Sequence, residues 1–197
     1  MGTLRAALNA AFYARPVLEV ARDLVGCVLS YDGCEGIIVE TEAYHDSEPA
    51  CHAFVGLTPR TETLFGPPGV AYVYRSYGVH ALLNAVSEPE GVGAAALIRA
   101  LEPVSGIEAM AGRRGMDPSR IRDLCSGPGK LTQAFGIGLE LNGSSLTAGP
   151  ILISARPPGW RRVPISAGRR VGITRAVELP WRFCATGSRF LSRPVRP

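Results

Sequence analysis

Cys27-Val-Leu-Ser-Tyr-Asp-Gly-Cys-Glu-Gly-Ile-Ile-Val-Glu-Thr-Glu-Ala-Tyr44 reads as two strands and the turn between them. Residues Cys27–Tyr31 and Ile37–Tyr44 are the strands, and the Asp32-Gly33 pair supplies the turn chemistry. Side chains alternate across a strand, so Glu40 and Glu42 share one face while Thr41 and Ala43 share the other. Two acids on one face beside an apolar run have two readings. They mark a solvated strand face, or they supply a general base whose neighbour shifts its pKa.

Outward from this hairpin the chain continues in short elements. Pro16 followed by Val17-Leu-Glu-Val-Ala-Arg-Asp-Leu-Val25 predicts an amphipathic helix ending at Gly26. Residues 45–69 are polar and rich in Gly and Pro, the pattern of a long functional loop. Strands are expected over Val70–Arg75, Val79–Ser87 and Ala94–Ala100, the first two flanking a tight corner at Tyr77-Gly78. Helices are expected over Pro103–Gly112, Pro118–Leu124 and Lys130–Phe135. Late strands are expected over Ile151–Ala155 and Arg170–Thr174, with a basic loop between them. Strands grouped without regular helical crossovers imply an α+β fold. The expected architecture is one domain with a mixed or antiparallel curved sheet and peripheral short helices.

Composition narrows the function classes. The chain has 197 residues, 46% of them hydrophobic, enough for one sizeable core. No run approaches the length needed to span a bilayer, and the first residues lack the pattern of a secretion signal. Cys27, Cys34, Cys51, Cys125 and Cys184 are odd in number and form no C-x-x-C pair, which argues against a disulfide framework or a zinc knuckle and suits a reducing cytoplasm. The net charge is +4 but unevenly spread. Residues 1–150 carry ten Arg and one Lys against sixteen acids, whereas residues 151–197 carry ten Arg against Glu178 alone. A basic C-terminal part fits a polyanionic partner, and the planar fork of Arg suits phosphate.

Several common signatures fail. Gly91-x-Gly93-x-x-Ala96 precedes a strand pattern instead of joining a strand to a helix, so it is no dinucleotide fingerprint. Cys125-Ser-Gly-Pro-Gly-Lys130 ends like a phosphate loop, but Leu131 stands where Ser or Thr would hold magnesium. His45, His52 and His80 lack metal-ligand spacing, and no G-x-S-x-G elbow occurs. What remains is an aromatic cluster. Tyr72 and Tyr74 share a strand face and Tyr77 sits at the corner, so three of the six tyrosines fall within six residues. Such a cluster is either core packing or a surface that stacks on bases and wedges into a duplex.

Four stretches then stand in a telling order: Val39-Glu-Thr-Glu-Ala-Tyr44, Tyr72-Val-Tyr-x-x-Tyr-Gly78 with Asn84, Leu97-Ile-Arg-Ala-Leu-Glu-Pro103, and Cys125-Ser-Gly-Pro-Gly-Lys-Leu131. In order and spacing the chain resembles the alkyladenine (3-methyladenine) DNA glycosylase family from about Ala11 to about Ser188. Thr58-Pro-Arg60, Arg170-Val-Gly-Ile173 and Trp181-Arg-Phe183 with Gly187-Ser188 extend the likeness. It implies a flexible lead-in over residues 1–10 and a single glycosylase domain over residues 11–197 with an Arg-rich C-terminal part.

The resemblance implies roles residue by residue. Glu42 is the general base that deprotonates a water aimed at C1′ of an extruded nucleotide. Arg99 holds that water or an adjacent phosphate, and its alternative is a buried ion pair with Glu42 or Glu102. Tyr44, His52 and Tyr74 are the aromatic walls of the base pocket, where a cationic purine gains a cation–π attraction. Asn84 crowds the exocyclic amine of guanine, or else satisfies a strand end. Tyr77 is the wedge that fills the gap left by the flipped nucleotide. Ser126, Gly127, Gly129 and Lys130 meet a DNA phosphate at a helix start. Val79, His80, Arg75 and Ser76 depart from the family's usual pattern around the wedge and bear on the lesion spectrum.

The expected activity is that of a monofunctional glycosylase of base excision repair. It flips alkylated or deaminated purines from double-stranded DNA and hydrolyses the N-glycosidic bond, leaving an abasic site. Expected substrates are 3-methyladenine, 7-methylguanine, hypoxanthine and ethenoadenine. No cofactor, metal or membrane partner is expected, and a monomer acting in a bacterial cytoplasm, at the nucleoid, fits. Two other readings stand beside it: a glycosylase/lyase with Lys130 as Schiff-base nucleophile, and a recognition module that flips bases without cutting.

Overall fold

The computed structural model describes residues 6–76 and 78–195. Helices α1 (Ala10–Tyr13) and α2 (Val17–Leu24) lead into strands β1 (Val28–Tyr31) and β2 (Cys34–His45). Strands β3 (Ala71–Ser76), β4 (His80–Val86) and β5 (Ala94–Ser105) follow, then helices α3 (Ile107–Arg114), α4 (Ile121–Leu124) and α5 (Pro128–Phe135). Strands β6 (Leu152–Ser154), β7 (Ile165–Gly168) and β8 (Arg182–Ala185) complete the fold. All pairings among these strands are antiparallel. The sheet runs β3-β4-β5-β2-β1-β6, with β8 joined to β2 and β7 to β8. This is the expected α+β architecture, with the sheet wholly antiparallel. No helix among the described residues is long and apolar enough to cross a membrane.

The β1–β2 hairpin closes through Asp32 and Gly33, both at positive φ (46° and 74°), the backbone of a tight two-residue turn whose twist matches the strands. Strand β2 is the axis of the sheet. Its first residues lie between β1 and β5; its middle, Glu40–Glu42, lies between β5 and β8. The register slips on both sides of Glu40, between Ile38 and Thr41. A bulge of this kind re-aims side chains without releasing the strand from its neighbours.

The two faces of the sheet have different tasks. One carries Ile38, Val73, Leu83, Ala85, Ala96 and Ile98 into the main core beneath α2, α3 and α5, with Leu24, Met110, Leu131 and Phe135. Thr41 belongs to this face, since its hydroxyl donates to the Ala21 carbonyl of α2 at 2.6 Å. Strict alternation therefore turns Glu42 and Tyr44 of β2 to the other face, with Leu97 and Arg99 of β5, Asn84 of β4, and Tyr72 and Tyr74 of β3. That second face is covered only in part: Cys51, Ala53 and Leu64, from the segment between β2 and β3, pack on Tyr72, Val86 and Ala95 of the sheet.

Three expectations are corrected. Residues Pro103–Ser105 continue β5; the helix starts at Ile107, after Gly106 at φ 76°. Pro103 is tolerated in the strand because it faces Gly36 next to a register shift. Residues 170–174 form no strand. Val171 and Ile173 alternate as strand residues do, but Gly172 takes φ 79° and the Val171 N–H bonds a side chain instead of a ladder. The strand expected over Ile151–Ala155 is found as β6, and the further late strands are β7, within the expected basic loop, and β8. Finally, α5 opens at Pro128, not Lys130, and Pro at a first helical position is well suited to that start.

Candidate active site

Glu40, Glu42 and Arg99 lie together under the second face, and both carboxylates have no solvent exposure. The reading of a solvated strand face is excluded. Arg99 bridges the two acids: its Nε donates to Glu40 Oε1 at 2.9 Å and its Nη1 to Glu42 Oε2 at 3.1 Å. Of the two ion-pair partners considered for Arg99, Glu42 is found, and Glu40 takes the place of Glu102. Glu42 Oε2 also accepts the Tyr44 hydroxyl at 2.8 Å, and its Oε1 accepts the Val171 N–H at 2.6 Å. Burial pushes the Glu42 carboxyl above the usual glutamate range, while Arg99, the Val171 N–H and the Tyr44 hydroxyl oppose that rise. Burial, and then the negative charge of Glu42, keep Tyr44 protonated and hence a donor.

Glu42 sits one side chain behind the wall of a cleft of about 850 Å³, whose lining includes Tyr44, His52, Tyr74, Asn84, Arg99 and Val171. Aromatic walls with a few converging polar groups are the usual build of a site for a flat organic ligand. His52 and Tyr74 meet edge to face at 4.6 Å between ring centroids, and Tyr72 stacks on Tyr74 at 5.3 Å. His52 Nδ1 lies 3.2 Å from the Tyr72 hydroxyl. Burial, and then the Arg60 cation, hold the His52 imidazole below its ordinary pKa, so the ring is neutral at neutral pH. Asn84 donates to the Tyr72 carbonyl at 3.1 Å, which ties β4 to β3, and it also lines the cleft. Among the described residues no three His, Cys, Asp or Glu side chains gather as metal ligands would.

Gly127, Gly129 and Lys130 line another part of the same cleft. Ser126 is outside the lining but accepts from Lys130 Nζ at 3.4 Å. The start of α5 is held against β4 by the Thr132 hydroxyl, which donates to the Ala81 carbonyl at 2.7 Å. A Cβ on Gly129 would come within 2.8 Å of the His80 Cβ, so only glycine admits this approach. Tyr77 lies outside the described residues. Beside its position, Gly78 takes φ 72° and Val79 is exposed.

Arg170 belongs to the stretch Arg170–Ile173 that extends the family likeness, but the sequence assigned it no role in the site. It grips Glu48 with two hydrogen bonds, of 2.6 and 2.9 Å, and donates to the Ala43 carbonyl at 2.9 Å. Its guanidinium stacks over Tyr44 at 4.6 Å and over Trp181 at 5.3 Å. The clamp fixes the loop from which Val171 reaches Glu42. No local pattern marks a pair 122 residues apart. Tyr72 was within reach of sequence reasoning, because it shares a strand face with Tyr74. Glu40 was legible as an acid beside Glu42, but its partners Arg182 and Ser192 were not.

The profile of the Methylpurine-DNA glycosylase (MPG) family matches residues 11–189. A protein of Rhodopseudomonas palustris is 55% identical over 183 residues, covering 93% of this chain and 86% of its own length. One of Bradyrhizobium diazoefficiens is 53% identical over 187 residues, covering 95% and 91%. One of Granulibacter bethesdensis is 54% identical over 182 residues, covering 92% and 85%. All three bear the provisional name 3-methyladenine DNA glycosylase. The match spans nearly the whole chain, and the chain belongs to the methylpurine-DNA glycosylase family, enzymes that hydrolyse N-glycosyl bonds in DNA.

Proposed function

We propose that this enzyme excises alkylated or deaminated purines from duplex DNA by a single hydrolytic step, with Glu42 as general base. The observation that carries the reading is a buried carboxylate held by Arg99, Tyr44 and the Val171 N–H directly behind an aromatic cleft. Among the described residues Oε1 of Glu42 accepts one hydrogen bond. A carboxylate oxygen has room for another, so a water entering from the cleft can be bound there. Glu42 takes a proton from that water as its oxygen bonds C1′. The bond from C1′ to the purine nitrogen breaks, and its electron pair leaves with the base. The sugar develops positive charge on the way, which a fixed carboxylate stabilises.

The cleft suits the leaving group. Tyr44, His52 and Tyr74 offer ring faces and edges to a flipped purine, and a cationic base such as 3-methyladenine or 7-methylguanine gains attraction that neutral adenine lacks. Such bases depart without protonation, whereas neutral hypoxanthine needs a proton at the purine. Asn84, which lines the cleft, is assigned the crowding of a guanine amine. Tyr77 is assigned the wedge, and the loop Ser126–Lys130 a phosphate contact at the start of α5.

Duplexes carrying 3-methyladenine or hypoxanthine test the reading. The wild-type enzyme should release free base and leave an unbroken strand with an abasic site. Covalent trapping by borohydride would instead show a lyase acting through Lys130. Binding to lesion DNA without release would show a recognition module. For Lys130→Ala, binding to damaged and undamaged duplexes should weaken alike. The slope of log K against log salt should become shallower by about 0.9, as expected for loss of one phosphate contact.

A further inference from the structure

Glu40 is as buried as Glu42 and shares Arg99 with it, but has no part in the chemistry proposed above. Four donors converge on it. Its Oε1 accepts Arg99 Nε at 2.9 Å, Arg182 Nε at 2.8 Å and the Ser192 hydroxyl at 2.7 Å. Its Oε2 accepts the Ser192 N–H at 2.6 Å. Ser192 lies on the C-terminal segment, which is anchored by buried Phe190. Arg182 of β8 donates to the carbonyls of Arg193 and Pro194 on the same segment. The Ser192 hydroxyl also accepts Arg99 Nη2 at 3.3 Å. Arg99 is thus held at three nitrogens by three residues, and Ser192 touches both Arg99 and the carboxylate that competes with Glu42 for it.

We propose that Ser192 is a positioning residue for the glycosylase reaction: the C-terminal segment closes over Glu40 and so sets the guanidinium of Arg99 against Glu42. The inference rests on the reading of Glu42 as general base. Its physical content is a competition. Arg99 serves two carboxylates, and any donor taken from Glu40 draws the guanidinium toward Glu40 and away from Glu42. The titratable and charged groups facing Glu42 are Arg99 from β5, Glu40 and Tyr44 from β2, Tyr74 from β3, Cys184 from β8 and Arg170 from the loop between β7 and β8. Ser192 touches none of the reacting atoms, so its effect must pass through Arg99.

Single-turnover base release by the full-length chain, followed across pH, tests this. For Ser192→Ala the rate should fall about tenfold, the size of effect expected when one hydrogen bond to a charged group is lost. Lesion-duplex affinity should hold, and the acidic limb of the pH profile should move to higher pH because Glu42 loses part of its opposing charge. Ser192→Thr, which keeps the hydroxyl, should restore both rate and limb. A wild-type rate in Ser192→Ala, or a slower rate with an unmoved limb and no rescue by Thr, overturns the proposal. Should Ser192→Ala not fold, Ser192→Cys keeps the volume with a weak donor and carries the same two readouts. The general-base reading fails separately. If Glu42→Gln releases base like the wild type, that reading is wrong; if Glu42→Gln is inactive and Ser192→Ala is normal, only the positioning role is wrong.

Discussion

Glu42→Gln should cut free-base release by about 10²–10⁴-fold, the range typical of general-base catalysis, while a lesion duplex is still bound. The substitution preserves shape and removes the ability to take a proton. It also sets an amide among donors. Tyr44 and Arg99 donate to Oε2 and the Val171 N–H to Oε1, so whichever way the amide lies, its NH₂ meets at least one N–H or O–H. The aromatic walls that receive the base are contributed by other residues, which is why binding should outlast chemistry. Single-turnover release and fluorescence-detected binding on the same duplex separate the two. Equal loss of both would point to a displaced cleft instead of a missing base.

The largest loss of stability is expected for Arg170→Ala. Arg170 is 6% exposed and Glu48 4%, so the substitution leaves a carboxylate buried without its partner. Breaking a buried pair in this way costs about 3–5 kcal/mol. The change also removes the bond to the Ala43 carbonyl and the stack on Tyr44 and Trp181. Urea unfolding of wild type and variant measures the difference. Adding Glu48→Gln to Arg170→Ala should recover part of the loss, since no charge then remains to be buried. A deficit unchanged by that second substitution would mean that the aromatic stack, and not the ion pair, dominates.

How much of this was legible in the sequence depends on how local each signal is. The β1–β2 hairpin was readable because turn chemistry and alternation are both local, and the same alternation placed Glu40 with Glu42 and Tyr72 with Tyr74. The limits lie where tertiary structure overrides local pattern. Pro103 looks like a helix start, yet β5 runs through it because Gly36 and a register shift lie opposite. Residues 170–174 look like a strand, yet the loop is shaped by the Arg170 clamp and by the pull of Glu42 on Val171. Strand β8 escaped notice because Arg182, an exposed residue type in most settings, is buried against Glu40. At the site, the motifs located Glu42, Arg99 and the aromatic walls. The long-range partners that hold them, Arg170, Arg182 and Ser192, leave no spacing to read.

The most direct test of the central claim is the pH dependence of base release from a duplex carrying 7-methylguanine, measured in a single turnover. That base is a cation while bonded to the sugar and departs neutral with the bond's electron pair, needing no proton, so the acidic limb reports the general base alone. The wild-type rate should fall as pH drops through a value above the usual glutamate range, because burial raises the Glu42 carboxyl. The residual rate of Glu42→Gln should be flat across the same interval. A limb that persists in Glu42→Gln, or a wild-type rate indifferent to pH there, would contradict Glu42 as the group that activates water.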